Sequence, residues 1–119
     1  MIHIIVYGFP KMSQNKLHKC CDEIRAVPGK AVGVFVPARR VMVSFPGEQL
    51  NAGLGEELMV YVQGLEISCH TVPSKELKDD LCSDIGAVLQ KYMPKNCERI
   101  LVQTCQPDPN HEGYSEGLF

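Results

Sequence analysis

Apolar and polar positions alternate along this chain with two periods, and the changes of period divide it into elements. The first nine residues, Met1-Ile2-His3-Ile4-Ile5-Val6-Tyr7-Gly8-Phe9, predict a strand that begins at the first residue. Apolar residues dominate both of its faces, the mark of a central, covered strand. Gly8-Phe9-Pro10 breaks it. From Ser13, a good N-cap, the period lengthens. Leu17, Cys20, Cys21, Ile24 and Val27 recur at helical spacing, with Lys16, Lys19, Asp22, Glu23 and Arg25 on the polar side. Pro28-Gly29 is expected to end this helix, which should run over 14–26.

The stretch from Lys30 to Pro37 reads either as a short strand or as an extended connection. Val41-Met42-Val43-Ser44-Phe45 predicts a clear strand, stopped by Pro46-Gly47. A turn-like segment follows, and then a long strand over 58–67. Simple alternation puts Leu58, Val60 and Val62 on one face, and Met59, Tyr61, Leu65 and Ile67 on the other. Gly64 inside it marks a bulge or a close backbone approach. Tyr7 and Tyr61 are expected in the core. Ser74 caps a second helix whose apolar face is Leu77, Leu81, Ile85, Val88, Leu89 and Tyr92, with Glu76, Asp79 and Asp80 near its positive end. Gly86 weakens that helix slightly or admits a neighbour. Pro94 ends it, and Glu98 to Cys105 is the last strand.

The order is therefore β-α-β-β-α-β, with matching halves and one domain over 1–119. Each strand–helix–strand unit can form a right-handed parallel pair. Two helices cover one face of such a sheet. Because the strands are apolar on both faces, self-association is expected to cover the second.

Composition narrows the function classes. Twelve Lys and Arg face fourteen Asp and Glu, for a net charge of −2. That balance gives nucleic acid no basic stripe to bind. No apolar run approaches the roughly 18–20 residues of a membrane span. The opening residues lack the layout of an export signal, so the expected location is cytoplasmic. The six cysteines, Cys20, Cys21, Cys69, Cys82, Cys97 and Cys105, contain no C-x-x-C pair and read as reduced, structural thiols. The histidines show no metal-ligand spacing. Asp108, His111 and Glu112 are a weak tail cluster. No metal and no cofactor is expected.

Two architectures share the element order. One is the ferredoxin-like sandwich, which would make a ligand-sensing dimer. The other is the fold of the tautomerase superfamily, and the chain resembles members the size of macrophage migration inhibitory factor. The resemblance rests on the element order, the strand at the first residue, Pro28-Gly29-Lys30 after the first helix, and the tail Gly113-Tyr114 with final Phe119. It implies an α+β fold: a four-stranded sheet with both helices on one face, and three sheets packed together in a homotrimer. It also implies keto–enol or double-bond isomerisation of a small oxo acid, at a site between subunits. The family's base is an N-terminal proline, and cationic side chains hold the substrate carboxylate and the enolate.

In this chain Met1 is followed by Ile2 rather than by proline. Methionine is removed efficiently only before small residues, so Met1 is expected to remain. Its α-amine then stands where the proline nitrogen would, and α-amines titrate close enough to neutrality to act as bases. Lys30, Arg39, Arg40, Gln103 and Tyr114 are the candidates for binding a small anionic substrate. The plainer roles are a solvated turn lysine for Lys30, surface charge for Arg39 and Arg40, and tail packing for Tyr114. His3 reads as a structural histidine. A scaffold that has lost the chemistry and only binds or assembles is the alternative to an enzyme.

Overall fold

The computed structural model describes residues 1–31, 34–47, 54–65 and 74–105. Within them the chain forms β1 (Ile2–Tyr7), α1 (Gln14–Lys30), a 3₁₀ turn (Ala38–Arg40), β2 (Val41–Ser44), β3 (Glu57–Gln63), α2 (Lys75–Tyr92) and β4 (Arg99–Cys105). The strands lie side by side in the order β2-β1-β3-β4. β1 runs parallel to β2, β3 runs parallel to β4, and the central pair β1–β3 is antiparallel. The two strands of each strand–helix–strand unit are thus neighbours. In a ferredoxin-like sheet that unit is split by an intervening strand, so the ferredoxin-like alternative is excluded.

One face of the sheet carries the core. Ile2, Ile4 and Val6 of β1 and Leu58, Val60 and Val62 of β3 are buried against Cys20, Ile24 and Val27 of α1 and Leu81, Ile85 and Leu89 of α2. Ser13 and Ser74 start the helices, each hydroxyl oxygen accepting from a backbone N–H three residues on, at Lys16 and Leu77. The other face holds His3, Ile5 and Tyr7, Met42 and Ser44, Met59, Tyr61 and Gln63, and Leu101, Gln103 and Cys105. It is bare in the single chain: Tyr7, Met42 and Met59 are 42%, 45% and 40% exposed. Tyr7 and Tyr61, expected in the core, meet edge-on here at 5.8 Å.

Two boundaries differ from the sequence expectation by more than two residues, the end of α1 and the end of β3. α1 runs through Pro28 to Lys30. The missing proline N–H costs one bond close to the helix end, and the carbonyls of Val27 and Pro28 are satisfied by Ala31 and Val36 N–H. Between α1 and the 3₁₀ turn no strand forms among the described residues, so of the two readings of Lys30 to Pro37 the connection holds there. Phe35 takes a positive φ of 48° in a turn closed on the Ala31 carbonyl, and Val34 and Val36 are buried. β3 stops at Gln63 because Gly64 turns to φ +80°. That breaks the alternation and sends Leu65 into the core rather than onto the face of Met59 and Tyr61. Five cysteines, Cys20, Cys21, Cys82, Cys97 and Cys105, are free thiols, and Cys69 lies outside the described residues. Burial, with a smaller push from Cys21 and Glu23, raises the Cys20 thiol to about 12, so it stays protonated and inert.

The two halves repeat closely enough that each residue of β1 has a counterpart in β3. Gly8 and Gly64 correspond, at the two ends of the central pair. A Cβ on Gly8 would collide with the Glu57 carbonyl, and one on Gly64 with the Met1 carbonyl. Both glycines also have positive φ. Gly64 therefore fixes where the first residue lies against the sheet. Gly64→Ala should cost roughly 2–4 kcal/mol through collision and backbone strain. Gly86→Ala should be neutral or stabilise by about 0.5–1 kcal/mol, since its Cβ would meet Val102 Cγ2 at an ordinary 3.7 Å. Urea midpoints of the two variants would check the contrast.

Candidate functional site

The sheet register brings several candidate residues to one end of the bare face. Ile2 pairs with Val41, so Met1 precedes the first rung of β1 as Arg40 precedes the first rung of β2. β3 and β4 end there too, with Gln63 opposite both His3 and Cys105. Met1 is 61% exposed. Arg39 and Arg40 form the last two residues of the 3₁₀ turn, both exposed, and neither side chain has an ion-pair or hydrogen-bond partner among the described residues.

The opposite end of the same face shows what this arrangement can hold. By the internal repeat, Glu57 takes the place of Met1 and Arg99 that of Arg40. There the guanidinium and the carboxylate form an ion pair, Arg99 Nε to Glu57 Oε1, at 3.6 Å. A carboxylate at the first position of a central strand is thus within reach of an arginine at the head of the neighbouring edge strand. At the Met1 end the arginine is kept and the carboxylate is not.

Arg25 holds the 3₁₀ turn in place. From α1 its Nε donates to the Val41 carbonyl at 3.1 Å, and Nη2 donates to the Ala38 carbonyl at 2.9 Å. A guanidinium bridging two carbonyls fixes the turn's orientation as a single ammonium would not. Sequence reading placed Arg25 only on the polar helix face, because the pairing spans sixteen residues and leaves no local trace.

The other candidates lie elsewhere. Lys30, at the end of α1, lines a groove between the helices with Asp22, Glu23, Ala26, Asp84 and Lys91, on the helical side of the sheet. Its charge acts on Glu23, which hydrogen bonds from Lys91 and Tyr92 hold below the usual carboxylate range. Gln103 is on the bare face, in the row Ile5–Tyr61–Gln103, one rung inward from His3–Gln63–Cys105. Tyr114, like the tail cluster Asp108, His111 and Glu112, falls outside the described residues. Sequence reading missed one further contact: His3 Nε2 lies 2.7 Å from Ser44 Oγ, across β1 and β2 on the bare face. The signal for it was parity, since His3 alternates with the buried Ile2 and Ile4. Among the described residues no cluster of metal-ligand side chains forms, and no helix is long and apolar enough to cross a membrane.

No protein-family model matches the chain, and no curated protein matches it by sequence. Solved structures match it by shape. Pt0534 inactivated by 2-oxo-3-pentynoate superposes with a TM-score of 0.58 at 16% identity, covering 87% of this chain and 85% of that one. A fused 4-OT wild-type asymmetric trimer gives 0.60 at 12% identity, over 87% and 85%. Malonate semialdehyde decarboxylase gives 0.57 at 16% identity, over 97% and 90%. All three are structures of the tautomerase superfamily. The chain has the tautomerase fold. At these identities the likeness extends to the arrangement of elements and not to the chemistry.

Arg25→Met keeps the apolar stem of the side chain and removes both bonds to the turn. It should destabilise the protein by about 1–3 kcal/mol and raise amide exchange at 38–41 in the folded state. Glu23→Gln, on the same helix, should leave exchange at 38–41 unchanged.

Proposed function

We propose that this protein is a tautomerase-like isomerase that binds a small oxo-acid anion at the Met1 end of its bare sheet face. The supporting observation is Arg40 beside Met1, without a side-chain partner among the described residues, at a position whose internal counterpart, Arg99, holds a carboxylate. In this reading Arg39 and Arg40 grip the substrate carboxylate with charge-assisted bonds. The α-amine of Met1, as first residue of the mature chain, takes a proton from the carbon beside the carbonyl. The electron pair of that C–H bond moves into an enolate, whose charge the same cations offset. The proton then returns to the oxygen or to a carbon further along.

The bare face belongs to the same proposal. It exposes apolar side chains from all four strands, and between its two ends it carries no Lys, Arg, Asp or Glu. Both edge strands, β2 and β4, also have unpaired backbone groups. Such a face and such edges are covered together when copies of the chain form a ring, and we assign a homotrimer. Gln103 and Tyr114 are then pocket-lining groups, and Lys30 is a cation on the outer layer near the same end.

The experiment combines solution mass, N-terminal mass spectrometry and enolisation assays with phenylpyruvate and hydroxymuconate. The expected outcome is a trimer with Met1 retained and turnover above the buffer rate. Arg40→Ala should raise KM roughly tenfold or more, the loss of one charge-assisted bond of about 1.5–3 kcal/mol. Carbamylation of the α-amine should abolish turnover. A stable dimer would count against the ring. No enolisation above buffer, with no binding of oxo acids, would leave the non-catalytic scaffold as the reading.

A further inference from the structure

An enolate is best held by a hydrogen-bond donor directly at its oxygen; the arginines bond the carboxylate and act on the enolate through their charge, and the α-amine takes the proton. The bare face offers two polar ring or amide groups at that end, His3 and Gln63, and of these His3 is the one that a side-chain partner orients among the described residues. His3 is half-buried, two residues along β1 from Met1 on the same face, roughly 6.5–7 Å away along the strand. Its Nε2 is held at 2.7 Å by Ser44 Oγ. Its Nδ1 has no partner among the described residues.

We propose that His3 is the oxyanion donor of this site and that Ser44 sets its tautomer. The inference rests on the isomerase reading above. The Ser44 hydroxyl donates to Nε2, which leaves the imidazole neutral with its proton on Nδ1. That N–H donates to the carbonyl oxygen of the oxo acid and strengthens as the C–H bond breaks and the oxygen gains charge. The histidine neither gains nor loses a proton. The proton taken by the α-amine is the one returned to the substrate, so the step balances without a co-reactant. A neutral imidazole in this role avoids placing another full positive charge beside Arg39 and Arg40.

The open-face side chains nearest His3 among the described residues are Ile5 on its own strand, Met42 and Ser44 on β2, Tyr61 and Gln63 on β3, and Cys105 on β4, so Ser44 is the hydroxyl that reaches its ring. Ser44 is a positioning residue: it touches His3 and not the substrate.

The test measures oxalate binding and phenylpyruvate enolisation in the full-length protein with His3→Ala, His3→Asn and Ser44→Ala. Oxalate carries an anionic oxygen where the enolate has one, and acetate serves as the carboxylate-only control. His3→Ala should lower kcat about 10²–10³-fold, the usual effect of losing one oxyanion donor, with KM nearly unchanged. It should weaken oxalate at least tenfold and leave acetate unchanged. His3→Asn, whose amide N–H lies near the Nδ1 position, should recover much of both losses. Ser44→Ala should lower kcat by a smaller factor. Thermal midpoints and solution mass show whether each variant keeps its fold, and Ser44→Ala carries the test if both His3 variants do not. If wild type enolises substrate and His3→Ala or Ser44→Ala does so equally well, the donor role is wrong and the isomerase reading stands. If His3→Asn is as inactive as His3→Ala and the acid limb of the pH–rate profile disappears with both, His3 is a base, and the donor role is again wrong. If wild type neither binds oxalate nor enolises, both readings fail together.

Discussion

The rest of the structure depends on the antiparallel contact of β1 with β3, and on the glycine at each end of it. Ile2, Ile4 and Val6 lie beside Leu58, Val60 and Val62, and all six are essentially inaccessible. Each side chain of this size contributes roughly 1.5–3 kcal/mol when fully buried, so the pair is the main apolar platform for both helices. Gly8 and Gly64 let each strand end approach the other's first residues more closely than any side chain would permit. The Met1 backbone is thereby held beside the sheet, and a site built around Met1 depends on that restraint.

The same pairing explains why one face is rich in chemistry and the other is not. Strand alternation sends every second residue of β1 and β3 into the helical layer, where the buried side chains among the described residues are aliphatic groups and the protonated Cys20 thiol. The remaining positions form a face that mixes apolar groups with His3, Ser44, Gln63 and Gln103 and bears charge only at its ends. At one end Glu57 neutralises Arg99. At the other the repeat places Met1 against Arg40, whose side chain has no partner among the described residues. The two otherwise similar halves thus differ in whether the arginine at the head of the edge strand meets a carboxylate of the neighbouring strand.

Much of the fold was legible because its elements announce themselves locally. The Ser13 and Ser74 caps, the helical spacing from Leu17 to Val27 and from Leu77 to Tyr92, and the apolar strands all carry short-range signals. The errors came where longer-range contacts override such signals. Pro28 reads as a stop, yet the helix passes through it, because Ala31 and Val36 satisfy the carbonyls beyond. Leu65 reads as facing away from the core, yet the left-handed turn at Gly64 reverses its side. Of the candidate site, Met1, Arg39 and Arg40 could be picked out by residue type and place in the chain. Arg25 and Ser44 could not, since their partners lie sixteen and forty-one residues away.

By itself, the sequence determined the order of elements, the apolar character of both sheet faces and the isoleucine that follows Met1. These are properties of residues and their neighbours along the chain. The tertiary structure alone decided the strand order β2-β1-β3-β4, which separates the tautomerase fold from the ferredoxin-like one. It also decided which face is left bare, the placing of Met1 level with Arg40 at one end of that face, and the contact of His3 with Ser44 further along it. Register and strand order depend on which backbone groups pair across long loops, and a linear pattern of hydrophobicity is equally satisfied by several such pairings.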